Sequence, residues 1–286
     1  MAELDLSPAP DELYYGSTRV DRLYVGSTLV YQRTAGGYTF TNTEAETYVN
    51  AMTVEPNDTR KGHIDTLVGG LKTDGLWSKI GLLYLLAAHD AQAGRLNAKT
   101  PASHALVNDG SAPTFTTDRG FTTDNTNMLD TGLAENALPS VSETDCHMAV
   151  YVNDNTSSGT TEPVMGATNF FRIGSKSGTN ATPRLFTNVN ATVSSGGDRT
   201  GFQAGTRTGT TAVGFHQSTV GSNTDISSDT RTPSSSNNLK ILGRAVNPCA
   251  AGDRVAFACV GEYLTNAEVA NLKSRIETYL TAIGAD

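Results

Sequence analysis

The chain has 286 residues, 37% hydrophobic and only 17% charged, with 28 glycines and a formal net charge of -8. That length suits one large β domain or two ordinary ones. An acidic chain without a Lys/Arg cluster argues against nucleic acid and against anionic membrane surfaces as partners.

Glycine, Ser, Thr and Asn fill the place of the missing charge, and turn formers at this density among β-branched residues point to a mainly β protein. The opening segment, MAELDLSPAP, has neither a basic n-region nor an apolar core, so no signal peptide is expected. The longest apolar run, around Ile80 to Ala88, is too short to span a membrane, and no membrane insertion is expected. Three cysteines, Cys146, Cys249 and Cys259, are an odd count without close spacing; Cys146 and Cys259 lie in apolar runs and read as small core residues of a chain assembled in a reducing cytoplasm.

Residues 1–12 read as an arm. Next comes a tandem repeat, LYYGSTRV then LYVGSTLVYQ: Leu13/Leu23, Tyr14/Tyr24, Gly16/Gly26, Ser17/Ser27, Thr18/Thr28 and Val20/Val30 recur ten residues apart. Each unit reads as two short strands joined at a tight Gly-Ser turn. Two such hairpins bury too little surface to be stable alone and need a partner. Leu13, Tyr14, Tyr15, Val20, Leu23, Tyr24, Val25, Val30 and Tyr31 are therefore the expected attachment or oligomer interface. Gly36-Gly37 marks a joint, so residues 1–37 form a separate arm.

A small helical collar is expected over 38–75. Thr43 to Glu46 reads as a capping box, with Ala45, Tyr48, Val49 and Met52 on one face. Asp58 is the expected cap of a second helix carrying Ile64, Leu67, Val68 and Leu71, weakened by Gly69 and Gly70 and stopped at Gly75. The apolar run from Trp77 to Leu86 favours a buried strand. His89 to Asn97 reads as a turn or short helix.

From there to the end, 76–286, strand follows turn. Expected strands cover ALVN from Ala105, PTFT, DRGFTT and MLDTGL, then Cys146–Val152, Val164–Ala167, Phe170–Ile173, Arg184–Val189, Gly201–Thr206, Ala212–His216, Leu239–Leu242 and Arg254–Val260. In CHMAVYV, alternation sends Cys146 and His147 to opposite faces, one in the core and the other not. The polar stretch Ser218 to Asn238 is long for a connection and reads as a functional loop or solvated hairpin. Thr265 to Glu268 is a capping box, and Val269, Leu272, Ile276, Tyr279, Leu280 and Ile283 form the stripe of a C-terminal helix stopped by Gly284.

The YxGSTxV units resemble N-terminal repeats of structural proteins of tailed phages, prophages and gene transfer agents. The block TRKGHIDTLVGGLKTDGLWSKIGLLYLLAAHDAQAGRLN, with APTFTTDRGFTTDNTNMLDTGL after it, is similar to a region of phage tail-fibre, head-fibre and other virion display proteins. The closing AFACVGEYLTNAEVANLKSRIETYLTAIG is similar to the final strand and helix of that family. The resemblance implies a virion location and a concanavalin A-like (laminin-G-like) jelly roll over 76–286, and it carries no catalytic motif. The expected fold is mainly β: an N-terminal β-hairpin repeat arm, a small helical collar, and a concanavalin A-like jelly-roll sandwich with a C-terminal helix.

Chemistry is sparse. His63, His89, His104, His147 and His216 include no pair at metal spacing, and His89-Asp90 reads as a turn bonded to backbone. There is no GxSxG, and Cys146 lacks an activating pattern. Asp118, Asp124, Asp130, Glu135, Glu143, Asp145, Asp154 and Glu162 supply carboxylates without a spacing that pairs any two across a cleft. No cofactor is expected. Calcium is the one cation the Asp/Asn-rich pieces allow, at Asp225, Asp229, Asp124-Asn125 or Asp154-Asn155. Aromatic residues beside amides, the composition of a sugar platform, occur at Asn169-Phe170-Phe171-Arg172, Phe186 with Asn188, and Phe215-His216-Gln217.

The chain is thus expected not to be an enzyme. The leading reading is a tail or head fibre or spike protein, fixed by its arm to other virion proteins and displaying a lectin-like jelly roll to a host-surface polysaccharide. A homo-oligomer, a trimer as in many fibres, would supply avidity. The alternative is a structural decoration or connector protein of the particle, and a third reading is a capsule-degrading hydrolase.

Overall fold

A computed structural model describes residues 13–15, 18–20, 22–25, 28–32, 37–154, 162–174, 176–177, 180–181, 183–187, 193–194, 199–210, 212–217, 224–227 and 231–285. The chain divides into two units, Met1–Phe40 and Thr41–Asp286.

In the first unit each copy of the repeat folds into its own antiparallel hairpin. Leu13–Tyr15 pairs with Thr18–Val20, and Arg22–Val25 pairs with Thr28–Gln32, with a register shift between Leu23 and Tyr24. The spacing of the repeat is therefore the spacing of two successive hairpins.

The second unit begins with helices. Helix α1 is Thr43–Asn50 and α2 is Asp58–Thr73. The capping box expected at Thr43 to Glu46 does not form: the N-cap is Asn42, and its side chain makes no cap hydrogen bond. Asp65 reaches across from α2. Its carboxylate accepts from the backbone N–H of Thr41 at 2.8 Å and of Asn42 at 2.9 Å, and from the Asn42 side chain at 2.8 Å. A tertiary carboxylate thus holds the two residues that lead into α1, Thr41 and Asn42, and not the Thr43 and Glu46 N–H groups that a local box would satisfy; Glu46 N–H bonds the Asn42 carbonyl instead. Likewise α2 is capped by Asn57, which accepts from Arg60 N–H, and Asp58 is the first helical residue instead of the cap.

Helix α2 runs on through Gly69 and Gly70. A Cβ on Gly69 would come within 2.9 Å of the Asn42 amide, and one on Gly70 within 2.8 Å of the Arg275 side chain. The glycines are where neighbours press closest. The apolar run from Trp77 is not one strand either: Leu76–Lys79 is a helical turn, α3, and Ile80–Tyr84 is the strand. Gly75, left-handed at φ 71°, reverses the chain so that the turn can precede the strand.

Two sheets, each of eight strands among the described residues and antiparallel except where Met165–Gly166 pairs with Gly243–Arg244, form the body. The first runs in the order Thr224–Ser227, Ala212–Gln217, Gly201–Thr208, Asp145–Asp154, Arg254–Gly261, Gly120–Thr122, Thr114–Thr116, with Ile80–Tyr84 also beside Arg254–Gly261. The second runs Arg184–Leu185, Phe171–Ile173, Met165–Gly166, Asn238–Ile241, Met128–Ala134, Val107–Asp109, with a small Gly243–Pro248 hairpin attached. Between them lies the main core. Cys146, Met148, Val150, Val152, Ala258 and Val260 of the first sheet meet Leu129, Met165, Phe171, Ile173, Leu185, Leu239 and Ile241 of the second. The fold class read from the sequence is the fold observed: mainly β, with hairpin arm, helices, two-sheet jelly-roll sandwich and C-terminal helix α4, Asn266–Ala282.

The far face of the first sheet is covered as well. Alternation puts His147, Ala149, Phe202, Ala204, Phe257 and Cys259 there, and all are buried. The expectation that one of Cys146 and His147 would face away from the packed interior is corrected by this. Both are 0% exposed, because α4 packs on Gly201–Thr208 and α2 packs on α4. The capping box Thr265/Glu268 and the stripe Val269, Leu272, Ile276, Tyr279, Leu280 and Ile283 form as expected, with the stripe buried. No helix among the described residues is long and apolar enough to cross a membrane.

Candidate functional site

Among the described residues, the outer face of the second sheet carries half-buried polar side chains. The register places one transverse row on it. Val107 faces Asp130, Asp130 faces Lys240, Lys240 faces Gly166, Gly166 faces Arg172, and Arg172 faces Arg184. Directly paired residues share a face, so the row crosses six strands, about 24 Å at the usual strand spacing. Its neighbours in sequence, Leu129, Leu239, Ile241, Phe171, Ile173 and Leu185, all point into the core.

One end of the row is a cross-linked polar groove of about 260 Å³ lined by Asp130, Ser236, Asn237, Asn238, Lys240, Ala245 and Val246. The Asp130 carboxylate accepts from Gly132 N–H at 2.7 Å and from the Asn238 amide at 3.1 Å. Lys240 lies between Asp109, with which it pairs, and Asp130, 4.0 Å away. Val246 is 83% and Val107 56% exposed, two of the three large hydrophobic residues exposed among the described residues. Amides, a carboxylate and an ammonium held rigidly beside apolar surface can bind a ligand with both hydroxyls and an apolar face.

Glu135 and Glu143 are the carboxylates that the fold brings to a common task. Glu143 accepts from Ser234 N–H at 2.7 Å and its hydroxyl at 2.9 Å, and pairs with Arg231. Glu135 accepts from the Ser235 hydroxyl at 2.6 Å and from Thr168 at 3.4 Å. Burial raises the Glu135 pKa, whereas the Ser234 N–H leads the groups that lower that of Glu143. Both fasten the segment 231–237, the closing part of the polar stretch from Ser218, beside the groove. The other carboxylates are spread out: Asp118 pairs with Arg60, Asp145 accepts from Tyr263 N–H, Glu162 pairs with Arg244, and Asp124 is bound by Thr126.

Several expected site residues lie elsewhere. Phe186 and Phe215 are core residues, 1% exposed each, and Phe186 stacks on Phe171 at 4.4 Å. They are corrected from sugar platform to core; Phe170 alone of these aromatics stays half-buried at the surface. Gln217 is buried and Asn188 lies outside the described residues. His89 Nε2 lies 2.8 Å from the Val54 carbonyl and Asp90 accepts from Gln92 N–H, the backbone-bonded turn expected of that pair. All three cysteines are free and buried. No group of three metal-capable side chains occurs among the described residues; of the calcium candidates, Asn155, Asp229 and the side chain of Asp225 fall outside them. The side chains of Leu13, Tyr14, Tyr15, Val20, Leu23, Tyr24, Val25, Val30 and Tyr31 also fall outside them, although their strands are placed.

Sequence reasoning named Arg172 and Asp130 but not the other members of the row. The signal was present, since Arg172 and Lys240 are single charges each flanked by two apolar residues in its strand.

No family model matches the sequence, and no curated protein matches it. Solved structures do. A mutant of Trypanosoma rangeli sialidase displaying trans-sialidase activity matches over 78% of this chain and 39% of its own, at 12% identity and a TM-score of 0.47. Trypanosoma rangeli sialidase itself covers 79% of this chain at 12% identity and a TM-score of 0.45. Domain 4 of an extracellular arabinanase from Geobacillus stearothermophilus, in complex with arabinotriose, covers 68% of this chain and 98% of its own, at 12% identity and a TM-score of 0.36. The chain spans about two fifths of the length of the sialidases it matches. The expectation that the chain is not an enzyme does not stand beside these glycosidase-named structures and is withdrawn. Likenesses at these scores carry no reaction over to this chain.

Proposed function

We propose that this chain is a virion display protein whose open second sheet binds a polysaccharide of the host surface. The observation that carries the reading is the asymmetry of the sandwich. On the central strands of the first sheet side chains of both faces are buried, Met148 and Ala149, Phe202 and Gln203, Phe257 and Ala258 among them, while the second sheet turns outward a row of half-buried polar residues with a groove and two exposed valines. The hairpin repeat supports an attachment role for 1–37, since two small hairpins need a partner to be stable. In this reading the arm fixes the chain to other virion proteins, and a trimer multiplies weak single-site binding.

Binding of the full chain to host cells, and to an array of their surface polysaccharides, tests the reading. Wild type should bind, and Asn238→Ala combined with Val246→Asp should bind at least tenfold more weakly while melting at the same temperature. Absence of binding to any host cell, together with normal adsorption by particles lacking the chain, overturns it.

A further inference from the structure

The groove beside Asp130 holds polar groups that the fold itself leaves unused. Its wall over 235–237 is fastened through the backbone. The Asn237 carbonyl accepts from Glu135 N–H at 2.8 Å, the Ser235 carbonyl from Asn136 N–H at 3.1 Å, and Asn237 N–H donates to the Ser235 hydroxyl at 3.2 Å. The side chains of Ser236 and Asn237, both exposed and both lining the groove, take no part in this fastening and make no hydrogen bond among the described residues. Asn238 commits its amide nitrogen to Asp130, at 3.1 and 3.2 Å, and keeps its side-chain oxygen free.

The charge of the groove disfavours acidic sugars. Its ammonium, Lys240, already stands between Asp109 and Asp130, one cation to two carboxylates. Arg244, beside the tip of the Gly243–Pro248 hairpin, is buried and paired with Glu162 at 2.8 Å. An anionic sugar would meet no uncommitted cation here and a net negative wall.

The apolar side of the groove is aliphatic. No aromatic ring is among its lining residues, so the face of a sugar ring has nothing to stack on. Ala245 and Val246 stand there instead, as the two loop residues of the hairpin in which Arg244 pairs with Asn247. Ala245 has φ 45°, at the first loop position, where a two-residue hairpin with positive φ defaults to Gly. Val246 is 83% exposed. The turn thus sets two methyl-bearing side chains at the groove against the preferences of backbone and solvent alike.

We propose that this groove takes a neutral sugar unit that carries a methyl group, as a 6-deoxyhexose or an N-acetylhexosamine does. The inference rests on the reading of this face as glycan-binding and names the class of glycan. The sugar's methyl group packs on Ala245 and Val246, and its hydroxyls bond the Ser236 hydroxyl, the Asn237 amide and the free oxygen of Asn238. Because the backbone of this wall is already fastened, binding orders little of it.

The test follows the side-chain amide signals of Asn237 and Asn238 in the full chain labelled with nitrogen-15. It is titrated with matched pairs: L-fucose and L-galactose, L-rhamnose and L-mannose, N-acetyl-D-glucosamine and D-glucose, with D-galacturonate against D-galactose for charge. In at least one of the first three pairs the methyl-bearing sugar should shift these signals saturably and bind about fourfold more tightly than its partner, the factor for burying one methyl group. The deoxy pairs and the acetylated pair tell which sugar supplies that methyl. Val246→Ser, at an exposed turn, should abolish the preference, whereas Asn237→Ala should weaken both members of a pair alike. Equal affinity within all three pairs, or a preference that survives Val246→Ser, would overturn the methyl assignment. Galacturonate binding as tightly as galactose would overturn the neutral one, and signals that no sugar moves would overturn the groove as a sugar site. Host-cell binding measured in parallel separates the two levels. Cell binding without these shifts removes this assignment and keeps the receptor reading, whereas shifts without cell binding do the reverse.

Discussion

Mild acid should destabilise this protein through one residue, His147. Its imidazole lies on the helix-covered face of the first sheet, 0% exposed. Nδ1 is 2.5 Å from the Glu262 carbonyl and Nε2 is 3.5 Å from the Cys259 sulfur. Burial pushes its pKa down to about 4; the Glu262 carbonyl, Asp145 and Glu268 pull it up, and Lys79 pushes it further down. In the unfolded chain the same group titrates near its ordinary 6.5. Between those values the unfolded chain binds a proton that the fold does not, so stability falls as pH drops from 6.5 to about 4 and then levels off for this group. Each tenfold difference in proton affinity is worth about 1.4 kcal/mol, which makes the loss about 3 kcal/mol.

Urea unfolding measured from about pH 7 down to about pH 4 reads this out. The midpoint of the wild type should fall across that window, and His147→Gln, which cannot titrate, should lack that share of the fall. The ring-proton signal of His147 in the wild type gives an independent reading and should still report a neutral imidazole at pH 5. An imidazole titrating near 6.5 in the folded protein, or pH profiles that run parallel for wild type and variant, would refute the reasoning.

Three other outcomes follow from the packing. Arg199 and Asp253 are an ion pair 1% and 0% exposed, so Arg199→Met, which strands the carboxylate, should cost about 3–5 kcal/mol in urea unfolding. Gly120 sits at φ 104° and a Cβ there would lie 2.1 Å from the Val255 carbonyl, so Gly120→Ala should lower the melting temperature far more than Gly209→Ala, which has open space. Glu143 has its pKa lowered chiefly by the Ser234 N–H, so its contribution is present above the ordinary Glu range and lost as pH falls below about 4.3. Glu143→Gln should speed amide exchange at Ser234 at neutral pH, and the gap between variant and wild type should close in acid.

How much of this was legible in the sequence depended on the range of the interactions. The capping box at Thr265 and the stripe of α4 are set by neighbours three and four residues apart, and both formed as expected. The start of α1 was misread because the carboxylate that holds the residues leading into it, Asp65, is 24 residues from Thr41. The apolar run around Cys146 correctly put it in the core, and alternation correctly set His147 on the opposite face. Alternation could not show that helices would cover the opposite face and bury His147 too. Phe186 and Phe215 looked like platform residues because an aromatic beside amides reads the same in a core strand and on a surface. The row Val107, Asp130, Lys240, Gly166, Arg172, Arg184 is assembled from six strands by register, and register is a property of pairing that no single segment carries.

The same geometry explains why a binding surface can be built on this body without loss of fold. On the central strands of the first sheet both alternating sets of side chains are largely buried, one set against the second sheet. A polar substitution at His147, Ala149, Phe202 or Phe257 therefore enters a closed interior, where an unpaired polar group costs on the order of 1–3 kcal/mol. In the second sheet Leu129, Leu239, Ile241, Phe171 and Leu185 hold the core, while Asp130, Asn238, Lys240, Arg172 and Arg184 alternate with them and are half-buried. An exchange at these outward positions leaves the core beneath them in place, and its cost falls on local pairs such as Lys240 with Asp109 and Asp130 with Asn238.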